Sequence, residues 1–147
     1  MINKDCAFDL RKAYFQALSG ITYGGQSVGV YDEIVPSGAL YPCIILSNQA
    51  SNGLRSKDTF QRDATIEVNV IQRYTSEEGG KKQINDISNL IINRIITSNS
   101  TYGISQYLTD WQVINCDYQT NSLILQLPSG WQAEQIIIFS QLLNQLN

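Results

Sequence analysis

Apolar residues in the first third of the chain recur at helical steps. Ala7, Leu10, Tyr14, Ala17 and Leu18 fall three and four residues apart, with Asn3 or Asp5 ahead of them as a cap and Gly20 behind as a stop. The pattern predicts a helix that lays one face on a core. Thr22 to Ser27 is a glycine-rich connection in which Tyr23-Gly24-Gly25-Gln26 forms a loose turn. It lacks the spaced glycines and the Lys-Ser/Thr pair of a phosphate-binding loop. Val28, Val30 and Tyr31 predict a short extended segment broken at Pro36-Ser37-Gly38, and Tyr41-Pro42 leads into the unbroken apolar strand Cys43 to Leu46.

From Asn48 to Phe60 the composition turns polar. Beyond it, Ala64, Ile66, Val68 and Val70 alternate with Thr65, Glu67, Asn69 and Ile71, a period-two pattern that predicts a strand with one buried face. Two strands joined by so long a polar stretch make a long hairpin, and its tip, about residues 48–62, is expected to protrude as an arm. A second helix is expected between Ser76 and Thr97. Glu77 and Glu78 suit its positive end, Ile84, Ile87, Ile91 and Ile95 form its stripe, and Gly79-Gly80 shifts its firm start to Lys81. A polar linker, Ser98 to Gly103, precedes a strand from Trp111 to Tyr118, a turn at Asn121, a short strand from Leu123 to Leu127 and another turn at Pro128-Ser129-Gly130. Trp131 to Leu143 reads two ways. Ile136 to Phe139 favour a strand by β-branching, Ile138, Leu142, Leu143 and Leu146 would suit a helix face, and strand is the reading adopted.

Together these elements predict an α+β fold, a single domain over residues 1–147 with an antiparallel sheet covered on one face by two helices. The other sheet face is then free to extend or pack across subunits.

Charge sharpens that expectation. Charged residues make up 16 % of the chain and hydrophobic ones 43 %, against an ordinary charged share of about 25 %. The deficit is local: Ile95 to Asn147 contains no lysine or arginine, and its acids are Asp110, Asp117 and Glu134. A water-facing surface normally mixes charges, so this stretch is expected to meet protein. The net charge of −3 and the scattered basic residues argue against nucleic-acid or membrane-surface binding.

Cys6, Cys43 and Cys116 lack paired spacing and read as buried thiols in a reducing compartment. No signal core or membrane-length apolar run is present, which points to a soluble protein made in a cytoplasm. Histidine is absent, which removes His-based nucleophile systems and the usual zinc ligand sets. Asp32-Glu33, Asp58, Asp63, Glu67, Asp110 and Asp117 could supply carboxylate chemistry, but their dispersal favours a protein that is not an enzyme and carries no cofactor or metal. The dispersed Tyr23, Tyr31, Tyr41, Tyr102, Tyr107 and Trp111 suit core and subunit contacts better than base stacking, which needs interleaved cations.

The wording of the chain resembles the bacteriophage tail-completion proteins, also called tail terminators or head-tail joining proteins. The resemblance rests on the first helix, Val30-Tyr31-Asp32-Glu33-Ile34-Val35-Pro36, Tyr41-Pro42-Cys43-Ile44-Ile45-Leu46, the alternating strand Ala64 to Tyr74 and the entry Gly80-Lys81-Lys82-Gln83-Ile84, and it spans about Asp5 to Thr120. The hairpin around Leu123 to Trp131 departs from it, leaving ring size and exact partner open.

The resemblance implies a non-enzymatic virion subunit in a homo-oligomeric ring, six-fold or a multiple, at the phage neck. Such a ring joins the capsid connector to the tail and caps the tail tube, with itself and the connector, neck and tail proteins as partners, and with assembly in the host cytoplasm. The expected contacts are Arg55, Lys57, Asp58 and Arg62 on the hairpin tip, and Gln126, Trp131, Gln135 and Gln141 along the neutral C-terminal seam. A small peptide-binding or regulatory domain, or a carboxylate hydrolase, are the competing readings.

Overall fold

The computed structural model describes residues 3–55, 60–74 and 81–146. Helix α1 (Ala7–Leu18) buries Leu10, Ala13, Tyr14, Ala17 and Leu18, the residues its periodicity selects. Asp5 Oδ1 accepts the Ala7 N–H at 3.1 Å, which gives the first turn a carboxylate partner. At the other end Ser19 donates its N–H and its hydroxyl to the Phe15 carbonyl, and Gly20 follows with φ +84°.

The turn through Tyr23 and Gln26 is tight rather than loose. Gly24 and Gly25, with φ of +59° and +81°, join β1 (Thr22–Tyr23) to β2 (Gln26–Ser27) in a two-residue hairpin whose twist needs positive φ at both positions.

The main sheet has the order β3-β4-β5-β9-β8. Strand β3 (Gly29–Asp32) runs parallel to β4 (Cys43–Arg55), which corrects the expectation of a wholly antiparallel sheet. The chain leaves β3, turns through residues 33–42 and re-enters the sheet in the same direction. The remaining pairs are antiparallel: β4 with β5 (Phe60–Tyr74), β5 with β9 (Gly130–Gln145), and β9 with β8 (Trp111–Leu127).

Two further corrections concern strand length. Most of the stretch expected as a polar loop, residues 48–60, is strand, in register up to Arg55↔Phe60. Likewise the turn expected at Asn121 is absent, because Asn121 pairs with Ile136 in the middle of a continuous β8. In both places a long neighbouring strand supplies the hydrogen-bond ladder, and this outweighs the turn preference of single Asn, Ser and Gly residues.

Ile44, Leu46, Ile66, Val68, Val70, Ile137, Phe139 and Leu143 form one core with the buried sides of α1 and of α2 (Lys81–Ile95), so both helices share a sheet face. The helical start expected at Glu77 and Glu78 lies outside the described residues. A short hairpin, β6 (Ile96–Ser98) with β7 (Thr101–Tyr102), and a 3₁₀ turn at Gly103–Tyr107 replace the expected linker. On the opposite sheet face a smaller cluster, Cys43, Ile45 and Ile71, lies under Tyr31, Val35 and Tyr41, with the Arg73 guanidinium 4.6 Å from the Tyr41 ring centroid.

Arg11 ties α1 to the sheet. Its guanidinium donates to the Leu46 carbonyl, to the Ser47 carbonyl at 2.7 Å, to Gln49 Oε1 at 3.1 Å and to the Asp32 carboxylate. These contacts hold the β-bulge where the β4–β5 register shifts between Leu46 and Gln49. Arg11→Met should therefore lower stability by about 2 kcal/mol, the scale of losing charge-assisted bonds to half-buried acceptors. Thermal unfolding followed by circular dichroism checks it, and an unchanged midpoint would refute the role.

Candidate subunit interface

Strand β8 forms one edge of the main sheet and is 17 residues long. Its outer ladder of N–H and C=O groups has no strand beside it among the described residues. Long edges of this kind pair with other chains unless lysine, proline or a strong twist protects them. Between Trp111 and Leu127 there is no lysine, arginine or proline, and the one charge is Asp117. One bulge, between Val113 and Asn115, is the irregularity present.

Register shows what this edge presents. On the open sheet face, Leu123 and Leu125 of β8 lie opposite Glu134 and Gln132 of β9, and Asn121, Gln119 and Asp117 opposite Ile136, Ile138 and Ser140. On the helix-covered face, Tyr118 packs its ring 6.4 Å from Phe139 and is still 45 % exposed. Ile114, Leu123, Ile124 and Leu125 are also exposed, so β8 offers large apolar side chains on both faces. A shallow cleft between α2 and the β8–β9 hairpin, lined by Lys81, Ile84, Asn85, Ser122 and Ile124, borders the same edge.

Strand β4 provides a second open edge. Strand β3 covers it from Cys43 to Leu46, and beyond the bulge no strand pairs with its outer side among the described residues. Asn48, Ala50, Asn52 and Gly53 are exposed there. This stretch is also free of charge until Arg55.

The expected contact residues divide. Lys57 and Asp58 lie outside the described residues, as does the side chain of Arg55, whose backbone closes β4 opposite Phe60. Arg62 lies on β5 and donates to Ser51 Oγ at 2.7 Å, so part of its guanidinium is engaged within the sheet. Gln126 is exposed opposite the half-buried Trp131 near the hairpin end, and Gln135 is half-buried opposite Ser122.

Gln141 has a different place. It is 1 % exposed, donates to the Ala64 carbonyl at 2.7 Å and accepts the Tyr14 hydroxyl proton. Its amide belongs to the core, and it is replaced in the candidate interface by Gln119, Asn121, Leu123 and Leu125. The signal for those residues was in the chain: seventeen successive positions without a cation or proline, on what proved to be an edge.

Burial pushes the Tyr14 hydroxyl well above the usual phenol range and the Cys116 thiol up to about 11. The Cys43 thiol is raised to about 11 for the same reason. These groups are neutral at physiological pH. Asp32 is held by Arg11, Asp110 by Lys4 at 3.3 Å, and Glu67 accepts from Ser47 and Asn48, so each of these carboxylates has its own partners. Among the described residues no three His, Cys, Asp or Glu side chains are grouped to hold a metal, and no helix is long and apolar enough to cross a membrane.

No protein-family model and no curated protein matches the chain. Its fold is similar to that of a chain in a solved structure, the virion of native gene transfer agent (GTA) particle, with a TM-score of 0.68 and 13 % sequence identity over 97 % of this chain and 99 % of that one. At that identity the likeness is one of fold.

Proposed function

We propose that this chain is a non-enzymatic structural subunit of a phage-like virion. It forms a closed homo-oligomeric ring at the neck, six-fold or a multiple, which joins the capsid connector to the tail and ends tail growth. The observation that carries this reading is the fold shared, almost end to end, with a chain of a gene transfer agent virion. The β8 edge supports it, with Asp117 its one charge and neutral polar and apolar side chains elsewhere, since a surface that buries neutral side chains avoids the desolvation cost of ions.

In this reading the β4–β5 tip projects from the ring, and Arg55, Lys57 and Asp58 contact an adjoining connector or tail ring by charge complementarity. Closed rotational symmetry fixes the copy number. Electron microscopy of the purified protein, alone at high concentration and mixed with whatever portal and tail proteins its genome encodes, should show annuli with rotational symmetry. A monomer under both conditions overturns the proposal. The open β8 edge also suits capture of an extended peptide, and a monomer that binds such peptides would favour that reading instead.

A further inference from the structure

We infer that the ring closes by strand addition, with the β8 edge of one subunit pairing antiparallel with the Asn48–Arg55 edge of β4 in the next. This rests on the ring reading above and names the surfaces that make it.

The first argument is directional. Along the sheet, β4, β5, β9 and β8 alternate in direction, so β4 and β8 are antiparallel across it. A second copy set beside β8 in the same orientation therefore brings up its β4 antiparallel to β8. Head-to-tail repetition then continues the antiparallel ladder from sheet to sheet alongside the Asn48–Arg55 stretch, and a rotation at each step closes the ring.

The second argument is coverage. Among the described residues, β8 from Trp111 to Leu127 and β4 beyond Leu46 have no strand on their outer side, and neither carries the lysine or proline that blunts an edge. A two-fold contact of β8 with another β8 hides one and leaves the other exposed. The head-to-tail contact hides the open β4 segment and the half of β8 level with it.

The third argument is charge. The charge within β8 is Asp117, and that within β4 is Arg55. The two-fold contact pairs an acid-bearing edge with itself and supplies no cation, whereas the head-to-tail contact joins edges of opposite sign. The register also matches in level. Across the sheet, Ala50 aligns with Thr65, Ser140 and Asp117, so the open β4 segment lies at the height of the first half of β8. The second half, from Thr120 to Leu123, lies level with Cys43 to Leu46, where β3 already pairs with β4, so there β8 faces the outer edge of the neighbour's β3.

Cysteine cross-linking tests this. Cys116→Ser first removes the native thiol on β8 from both preparations; Ala50→Cys is then placed in one, and the other carries an added cysteine at Asn115, Asp117, Gln119 or Asn121 in turn. On mild oxidation a mixture of the two should give a disulfide-linked dimer at one or two of these positions. Each preparation alone should stay unlinked, as should wild type.

Self-linking of the β8 variants would show the two-fold contact and overturn the inference. Rings visible by electron microscopy with no cross-link at any position would also overturn it while leaving the ring proposal standing, and the absence of rings would remove both. As an independent measure, Asn115→Lys places a cation on the exposed half of β8 that lies level with Asn52. It should leave the thermal unfolding of the subunit unchanged and weaken assembly at least tenfold in sedimentation. Unchanged assembly counts against edge pairing.

Discussion

Tyr14→Ala should lower the stability of the subunit by about 5 kcal/mol. Tyr14 is fully buried in the middle of α1, packs 5.4 Å from the Phe139 ring and donates its hydroxyl to Gln141. Removing a buried aromatic side chain costs about 3–5 kcal/mol through lost transfer energy and the cavity left behind. The deletion also strips Gln141 Oε1 of its donor, which adds about 1–3 kcal/mol unless water enters the space. In a domain of this size the midpoint of thermal unfolding should fall by more than about 10 °C.

Tyr14→Phe separates the two contributions. It keeps the ring against Phe139 and loses the hydrogen bond alone, so a loss of about 1–2 kcal/mol is expected. Chemical denaturation of both variants measures the pair. Tyr14→Phe as stable as wild type would show that the Tyr14–Gln141 bond contributes nothing, and a small loss in Tyr14→Ala would contradict the packing itself.

Gly103→Ala is the second large effect, and its cause is different. A Cβ at Gly103 would lie 1.9 Å from the carbonyl oxygen of Arg94 and 3.1 Å from its carbon. Both are backbone atoms of α2, so no side-chain rotation relieves the clash. The 3₁₀ turn must move away from the helix, and Ile104, fully buried beside it, must move too. Overpacking of this kind costs about 3 kcal/mol. Denaturant unfolding should show that loss, with assembly weakened in proportion to the unfolded fraction. A variant within about 0.5 kcal/mol of wild type would mean that the turn and helix are not so closely apposed.

Arg94 gives this corner a second function. It lies in the last turn of α2 and donates to the Ala17 and Ser19 carbonyls at 3.2 and 2.8 Å, at the C-terminal end of α1. One guanidinium thus satisfies carbonyls that α1 leaves without intrahelical partners. Only these two helices being neighbours makes such a bond possible, and nothing in the local sequence of either announces it.

What the sequence by itself determined is the set of elements with a strong period. The i, i+3, i+4 spacing of Leu10, Tyr14, Ala17 and Leu18 and the stripe Ile84, Ile87, Ile91 and Ile95 place the two helices, and the alternation from Ala64 to Val70 places the central strand. The β-branched run Ile136 to Ile138 favours strand for the last segment without excluding a helix, and the structure has β9 there. Burial of one face imposes these periods, so they survive without knowledge of partners. The lack of cations after Arg94 was equally visible.

The tertiary structure decided what depends on neighbours. The polar stretch 48–55 and the Asn121-Ser122 segment become strand because β5 and β9 offer ladders to pair with, and the parallel entry of β3 follows from how residues 33–42 turn. Gln141 moves from the expected seam into the core because Tyr14 and the Ala64 carbonyl are there to bond it. That β8 is an edge, and that β4 opens a matching one on the far side, is a property of strand order. Strand order is fixed by pairings between residues far apart in the chain, and local composition carries no record of them.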